Sequence, residues 1–315
     1  MTRSRDALPQ LGEAPLITDG GIETTLIYHE GLDLPYFAAF DLLRSEQGTA
    51  ALRRYFEAYA ALAREHRVGL VLETPTWRAS ADWGDLLGYE RTDLDAANRA
   101  AVRLLEQVRG TLEPEIGPVV ISGCIGPRGD GYAPASTMSA VDAEAYHARQ
   151  IGTFATTAAD MVCAITMTYA EEAVGVTRAA LAAGIPVAIS FTVETDGRLP
   201  SGQSLGEAIG QVDGETAAGP AYYMINCAHP THFEHVLEAG AAWSLRIRGL
   251  RANASRLSHA ELDESTTLDD GDPQELARQY ADLRERLPAL TVLGGCCGTD
   301  HRHIGAICSA WLGTP

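Results

Sequence analysis

The sequence predicts an α/β protein in which eight strand–helix units close a (β/α)8 barrel of the TIM type. Short apolar runs recur along the chain, and each is followed by a longer Ala-, Leu- and Glu-rich stretch with helical spacing. This alternation is typical of parallel α/β folds, and eight units are the number that a closed barrel needs. No linker or low-complexity tract divides the chain, so residues 1–315 are predicted to form a single domain.

The predicted strands follow from the short apolar runs. They lie at 16–18, 70–73, 119–122, 161–165, 187–191, 222–226, 244–249 and 291–293. The helices that the spacing marks most clearly lie at 45–67, 93–109, 140–159, 170–183, 231–239 and 273–287. Two stretches rich in Gly, Ser, Thr and Asp, 127–139 and 257–272, each follow a strand. We expect these two stretches to be rim loops.

Composition excludes several classes of partner. Apolar residues make up 46% of the chain and charged residues 21%, as in a globular protein with a large core. The 24 Lys+Arg and 42 Asp+Glu give a net charge of -18, which repels nucleic acid and anionic membrane surfaces. No membrane-spanning run or secretory leader is visible, so a cytoplasmic protein is expected. Six cysteines in a chain this long indicate free or metal-bound thiols rather than a disulfide scaffold.

Three cysteines fall at predicted strand ends, where barrels of this type carry their active sites. Cys227 follows the sixth strand, and Cys296 and Cys297 follow the eighth. Strands six and eight have one neighbour between them, so the three thiolates can share one ion. Sulfur ligands favour Zn²⁺, and three protein ligands leave a fourth position open, as in catalytic zinc sites. The glycines within 294–298 allow the sharp bend that turns adjacent side chains toward one metal.

Free cysteine is also a common core residue, which gives an alternative interpretation of these thiols. An adjacent cysteine pair in a Gly-rich bend fills a core poorly, so the metal interpretation is favoured for the three strand-end cysteines. Cys163, within a strand, and Cys308, in a C-terminal helix, are assigned to the core. Cys124, at the tip of the third strand, is left unassigned between the two interpretations, with a structural role favoured.

Three motifs together resemble the homocysteine S-methyltransferase family, the zinc domain shared by betaine-, S-methylmethionine- and cobalamin-dependent enzymes. They are Asp-Gly-Gly-Ile-Glu-Thr at 19–24, Asn-Cys at 226–227 and Gly-Gly-Cys-Cys-Gly-Thr at 294–299. The resemblance implies zinc bound by the three cysteines, with the substrate thiol entering the open position. It further implies transfer of a methyl group from a small sulfonium or ammonium donor to that thiol, with homocysteine giving methionine.

One position departs from the family pattern. The fourth strand of the family usually ends in a Glu that resembles a clamp for the amino group of homocysteine, and here the position is Ile165. We expect another carboxylate to replace it, Glu73 first and Asp19 second. A buried salt bridge from Glu73 to an arginine such as Arg78 is an equal alternative. The expected substrate contacts are Asp19, Glu73, Thr74 and Asn226.

Other residues near the predicted rim have two interpretations. Asn226 contacts substrate or holds the loop of the cysteine beside it by hydrogen bonds. His229 is a less favoured fourth ligand that we expect at the rim. Trp77 and Tyr169 line a pocket or only pack. His303, like its neighbour at 301, is expected to be exposed at the start of the last helix.

The sequence thus favours a thiol S-methyltransferase that uses Zn²⁺ and small-molecule substrates. S-methylmethionine, S-adenosylmethionine and betaines remain open as donors, and no separate cobalamin module is expected. The first strand lacks a dinucleotide-type Gly-rich loop, which argues against a nicotinamide enzyme. A methyltransferase for a different thiol and a non-catalytic zinc-binding regulatory barrel are the alternatives, which Ile165 keeps open. A zinc hydrolase is less favoured because sulfur-only ligation weakens the metal as an electrophile. A homo-oligomer is possible.

Overall fold

The computed structural model describes residues 4–112, 116–132, 136–265 and 267–313. Within these residues eight parallel strands pair in chain order, and the eighth pairs with the first to close a barrel. The strands are β1 (Leu16–Ile17), β2 (Gly69–Glu73), β3 (Val119–Ile125), β4 (Met161–Met167), β5 (Val187–Phe191), β6 (Tyr222–Asn226), β7 (Ile247–Ala252) and β8 (Val292–Gly295). The predicted (β/α)8 fold is confirmed.

Helices alternate with the strands and cover the outside of the barrel. Within the described residues the α-helices are α1 (Ile22–Thr24), α2 (Glu46–His66), α3 (Ala81–Leu86), α4 (Arg91–Leu112), α5 (Ala140–Ala155), α6 (Ala170–Ala183), α7 (Leu205–Thr216), α8 (Pro230–Phe233), α9 (His259–Glu264), α10 (Pro273–Asp282) and α11 (His301–Leu312). Their apolar faces pack on the strands in one large core, to which Phe56, Leu105 and Phe154 belong. None of these helices is long and apolar enough to cross a membrane.

The seventh strand differs from its predicted bounds, with a consequence for the site. The prediction placed it at 244–249, but Ser244–Arg246 form a 3-10 turn and β7 runs from Ile247 to Ala252. The shift carries Arg251 into the barrel wall. By contrast, the fifth and sixth strands have the bounds that the apolar runs predict.

The two expected rim loops differ in structure. In the stretch 127–139, residues 133–135 lie outside the described residues, and the remainder contains no helix or strand. The stretch 257–272 contains α9, so the loop prediction was wrong over His259–Glu264; residue 266 lies outside the described residues. Ser258 and Glu261 form a capping box that starts this short helix.

The barrel interior is filled at the end where the strands begin. Met161, Cys163, Tyr222 and Met224 pack there as an interior cluster, and Leu8 from the N-terminal segment joins it. Cys308 lies on the buried face of α11 and belongs to the large outer core. The core assignments of Cys163 and Cys308 are therefore confirmed. The opposite end, where the strands finish, is left for a cavity.

Candidate active site

A cavity of about 240 Å³ lies at the C-terminal ends of the strands. Strand ends from around the barrel line it, among them Glu73 of β2, Thr166 of β4 and Arg251 of β7. The loops after β6 and β8 contribute the three predicted cysteines. Residues that are far apart in the chain therefore share one cavity, as expected for a parallel barrel.

The three cysteines form a compact sulfur group. The Sγ atoms of Cys227, Cys296 and Cys297 lie within 4.8 Å of one another, and no other trio of His, Cys, Asp or Glu in the described residues is so placed. Cys227 and Cys296 are joined as a disulfide with Cα atoms 5.4 Å apart, and Cys227 Sγ is 3.8 Å from Cys297 Sγ. A metal would bind their reduced form. All three line the cavity, so three sulfurs and one open position fit a tetrahedral ion.

The local backbone brings these side chains together. Cys227 has a φ of 54°, in the left-handed region that few residues other than glycine adopt, and its N–H donates to the Arg251 carbonyl at 3.1 Å. Gly298, with a φ of 80°, completes the turn after the cysteine pair. A side chain at Gly294 would clash with Thr18, so the close approach of β8 to the end of β1 requires glycine there.

Tyr132, from the loop after β3, lies against the sulfur group. Its hydroxyl is 3.3 Å from Cys297 Sγ and 3.6 Å from Cys227 Sγ. Its ring stacks on His259 with centroids 4.2 Å apart, and His259 Nε2 lies 2.6 Å from the Cys227 carbonyl oxygen. Burial raises the pKa of the Cys297 thiol, and the Tyr132 hydrogen bond offsets this only in part. A bound cation would therefore be needed to favour the thiolate.

A buried arginine joins the two carboxylates that the sequence assigned to substrate. Arg251 Nη2 lies 2.7 Å from Asp19 Oδ1, and Arg251 Nη1 donates to Glu73 Oε2. Tyr55 donates to Asp19 at 2.9 Å, and Ser122 donates to Glu73 at 2.9 Å. Burial alone would lower the pKa of Arg251, but the two carboxylates outweigh it and raise that pKa. The salt-bridge alternative for Glu73 thus has its arginine at Arg251.

Arg78, the partner that the sequence suggested for Glu73, has other contacts. Its guanidinium carbon lies 3.9 Å from the ring centroid of Trp77 and 3.8 Å from that of Trp83. Its Nη1 donates to the Gly129 carbonyl at 2.8 Å. Burial lowers the pKa of Arg78 to about 10, so the side chain stays charged at neutral pH, and burial raises the pKa of Glu23 to about 7. Both side chains line the cavity.

The wall at β4 is apolar where the family pattern has a carboxylate. Ile165 lines the cavity and packs on the interior cluster. The next residue, Thr166, has a φ of 62°, and Asn226 holds it by accepting from its N–H at 2.8 Å and donating to its hydroxyl at 2.9 Å. Asn226 is fully buried, and these two hydrogen bonds join β6 to β4. Thr74 lines the cavity and accepts from the Cys124 N–H at 2.9 Å.

The less favoured candidates do not belong to the group that could hold a metal ion. His229 caps α8 by accepting from the Thr231 N–H, and burial lowers its pKa to about 4. Trp77 lines the cavity, whereas the Tyr169 hydroxyl accepts from the Met138 N–H and packs elsewhere. His303, expected to be exposed, is fully buried.

Two site residues, Arg251 and Tyr132, were missed from the sequence. A lone arginine in the apolar run Gly-Leu-Arg-Ala was the available signal for Arg251, but the predicted end of the strand at 249 excluded it. Tyr132 lies in a Gly-rich loop, and nothing in its local sequence connects it with cysteines 95 and 165 residues away.

Comparisons with known proteins agree with this geometry. A family model described as homocysteine S-methyltransferase matches residues 16–311, whereas no curated protein sequence matches significantly. Three crystal structures of the homocysteine methyltransferase MmuM from Escherichia coli are similar, each 18% identical and matched over 98% of this chain. The TM-scores are 0.74 for the oxidized form, 0.73 for the metallated form and 0.68 for the apo form, with 99%, 99% and 100% of those chains covered. At this identity the likeness concerns the fold.

Proposed function

Because the chain belongs to the homocysteine S-methyltransferase family, we propose that it transfers a methyl group from a small sulfonium or ammonium donor to a thiol at a zinc centre. Family membership makes the protein a methyltransferase on a (β/α)8 barrel. Homocysteine, which would give methionine, is the first acceptor of the proposal. One observation carries it, namely the convergence of three thiols in a cavity at the C-terminal ends of the strands.

Zinc is the metal that this donor set favours. Sulfur ligands are soft, and three of them with an open tetrahedral position suit Zn²⁺ rather than Mg²⁺ or Ca²⁺. When bound, the ion stabilises the thiolate form of an incoming thiol, whose ordinary pKa is about 8.5. Cys227, Cys296 and Cys297 would hold the ion.

Other residues position these ligands and shape the cavity. Asn226 links β6 to β4 through Thr166, and its Nδ2 lies 4.0 Å from Cys296 Sγ. The Arg251 carbonyl fixes the backbone of Cys227. We propose that Thr74, Asp19 and Glu73 contact the substrate from the cavity wall. Both carboxylates also pair with Arg251, so all three charged groups would set the electrostatic environment of the substrate. The partners that the family implies are therefore small molecules.

We also propose that residues 1–315 act as one domain. The family model spans 16–311, and the eight strands enclose a single interior.

Metal content and methyl transfer test the proposal together. Reduced protein loaded with zinc should bind about one ion, and Cys227→Ala, Cys296→Ala and Cys297→Ala should each lose most of it because a ligand is removed. Cys308→Ala, which changes a cysteine buried at α11, is the matched control and should retain zinc. Product is identified by mass after incubation with a panel of thiols and methyl donors. Full zinc retention by a cavity variant would overturn the ligand set, and zinc binding without any methylated product would leave the regulatory alternative.

The charges on the cavity wall favour a second class of acceptor, a thiol without an amine. Ile165 offers no charge to an amine, and Asp19 and Glu73 already bind Arg251. An amine-free thiol would not need a free carboxylate at these three positions. Side-by-side rates with homocysteine and a mercapto acid of similar length separate the two acceptors.

A further inference from the structure

Arg78 is a buried cation that the proposed chemistry does not use. Its side chain lines the cavity and only 5% of its surface is exposed. Among the described residues no carboxylate lies within ion-pair distance of it, although Asp130 and Glu23 line the same cavity and favour its charged form from farther away. Arg251, in contrast, directly contacts two carboxylates. Burial of an unpaired cation is costly, so a buried arginine in a cavity indicates an anion that is supplied from outside the chain.

The surroundings of Arg78 hold its guanidinium in place but do not satisfy all of its hydrogen-bond donors. The rings of Trp77 and Trp83 lie against it, and the Gly129 carbonyl accepts from Nη1. Its Nε has no hydrogen-bond acceptor among the described residues although the atom is buried. Aromatic faces stabilise a cation but accept none of the in-plane hydrogen bonds that its fork can donate. A planar anion bound beside the guanidinium in the cavity would add charge-assisted hydrogen bonds that the protein does not supply, and a carboxylate has the matching geometry.

We propose that Arg78 binds the carboxylate of a substrate of the methyl transfer. The carboxylate belongs to the acceptor thiol or to the methyl donor, because both must reach the cavity that Arg78 shares with the three cysteines. Glu23 lines the same cavity and, above its raised pKa of about 7, supplies the opposite charge, which suits a ligand that carries both a cationic and an anionic group. The inference rests on the proposed function for the identity of the ligand, but binding of a carboxylate does not depend on turnover.

Calorimetric binding with two matched pairs of compounds tests the proposal. The thiol pair is 3-mercaptopropionate and 2-mercaptoethanol, and the donor pair is glycine betaine and choline. In each pair only the first carries a carboxylate. Zinc-loaded wild type should bind the carboxylate member of at least one pair about ten- to hundredfold more tightly, the effect of a charge-assisted hydrogen bond. The pair that shows the preference identifies the source of the carboxylate.

Arg78→Gln should remove that preference and leave the uncharged members unchanged. Arg78→Lys, which keeps the charge but loses the fork, should retain part of it and guards against misfolding of the glutamine variant. Arg149→Gln is the matched control, since Arg149 is exposed and paired with Asp95 on the outer helices. No preference in either pair, or a preference that survives in Arg78→Gln, would overturn the inference. An Arg78-dependent preference in a protein that methylates no thiol would sustain the site and defeat the proposed function instead.

Discussion

Arg251 decides the charge balance of the cavity wall. The side chain is buried and links Asp19 and Glu73, which approach the same guanidinium from two strand ends. Either carboxylate alone would be costly to bury, because desolvation penalises its charged form. The arginine therefore lowers the cost of burying two acidic residues. It also reduces the negative charge that these residues present to a ligand.

Removal of this arginine should cost about 3–5 kcal/mol of unfolding free energy, because two buried carboxylates would lose their partner. The test is urea unfolding of Arg251→Met near neutral pH. Arg128→Gln is the control, since that arginine pairs with Asp82 at the surface and its loss should cost about 1 kcal/mol or less. Equal losses in the two variants would show that the buried pairings contribute no more than a surface ion pair.

Ile165 should decide how the enzyme treats an amine on its acceptor. Ile165→Glu would return a carboxylate to the β4 wall, and a charge-assisted hydrogen bond is worth roughly 1.5–3 kcal/mol. We expect the ratio of kcat/KM for homocysteine to that for a mercapto acid to rise by about one to two decades. Ile165→Leu is the matched control and should leave the ratio unchanged. If Glu73 already binds the amine, Glu73→Gln should lower the same ratio; a ratio unaffected by either variant would show that neither position senses the amine.

Single residues could be predicted where their chemistry is unusual. Cys227, Cys296 and Cys297 were found from the sequence because thiols at strand ends have few structural uses. Arg251 was not, because its partners depend on the register of β7 and on strands that begin far away in the chain. Ion pairs of this kind depend on the tertiary structure and cannot be predicted from the local sequence.

Among the elements, helices with a regular apolar face could be predicted and Gly-rich ones could not. Helix α6 has its predicted bounds, whereas α7 was not predicted although it spans Leu205–Thr216. Glycines at positions 206, 210 and 214 lower its helical propensity. Its start carried a signal all the same, because Ser204 and Glu207 form a capping box.

Helix α11 shows how a cap can bury a residue expected at the surface. Asp300 caps this helix, accepts from the Arg302 N–H at 2.9 Å, and donates its own N–H to His303 at 3.1 Å. His303 in turn contacts the Asp270 carbonyl at 2.8 Å, which ties the helix to the preceding loop. Burial opposes ionisation of Asp300, but its contacts with His303 and Arg302 outweigh it and hold the pKa of this carboxyl well below its ordinary value.

This lowered pKa makes the stability of the helix start depend on pH. A carboxyl whose folded pKa lies below its unfolded value stabilises the protein above the unfolded value and loses that effect as pH falls. The difference in unfolding free energy between wild type and Asp300→Asn should therefore shrink by about 1 kcal/mol between pH 5 and pH 3. Urea unfolding at both pH values measures it, and Asp82→Asn, at an exposed position, should show a smaller change. A constant difference would mean that the charge of Asp300 is not what stabilises the cap.

For the whole molecule, the strand count and motifs sufficed to predict a closed barrel, but they did not show how its two ends differ. The cavity end follows from the general position of active sites in such barrels. The opposite end is covered by the N-terminal segment, which is polar and carries no periodic pattern. The carbonyl of Gln10 accepts from the Thr291 hydroxyl at 2.8 Å, and Ser4 N–H donates to Asp160 at 2.9 Å. These contacts join residues that are 281 and 156 positions apart, so they could not be inferred locally.

The N-terminal cover should contribute to global stability without affecting the proposed metal site. Leu8 is 6% exposed and packs on the interior cluster, so Leu8→Ala should lower the unfolding free energy by roughly 2–5 kcal/mol through lost burial and a residual cavity. Leu11 lies three residues on, is 44% exposed, and gives a matched control that should change stability by about 0.5 kcal/mol or less. Zinc content should be unchanged in both variants because the three sulfurs lie at the opposite end of the barrel. Equal stability of the two variants would show that the packing of Leu8 does not contribute to the stability of the barrel. Loss of zinc in Leu8→Ala would show that the two ends of the barrel are coupled.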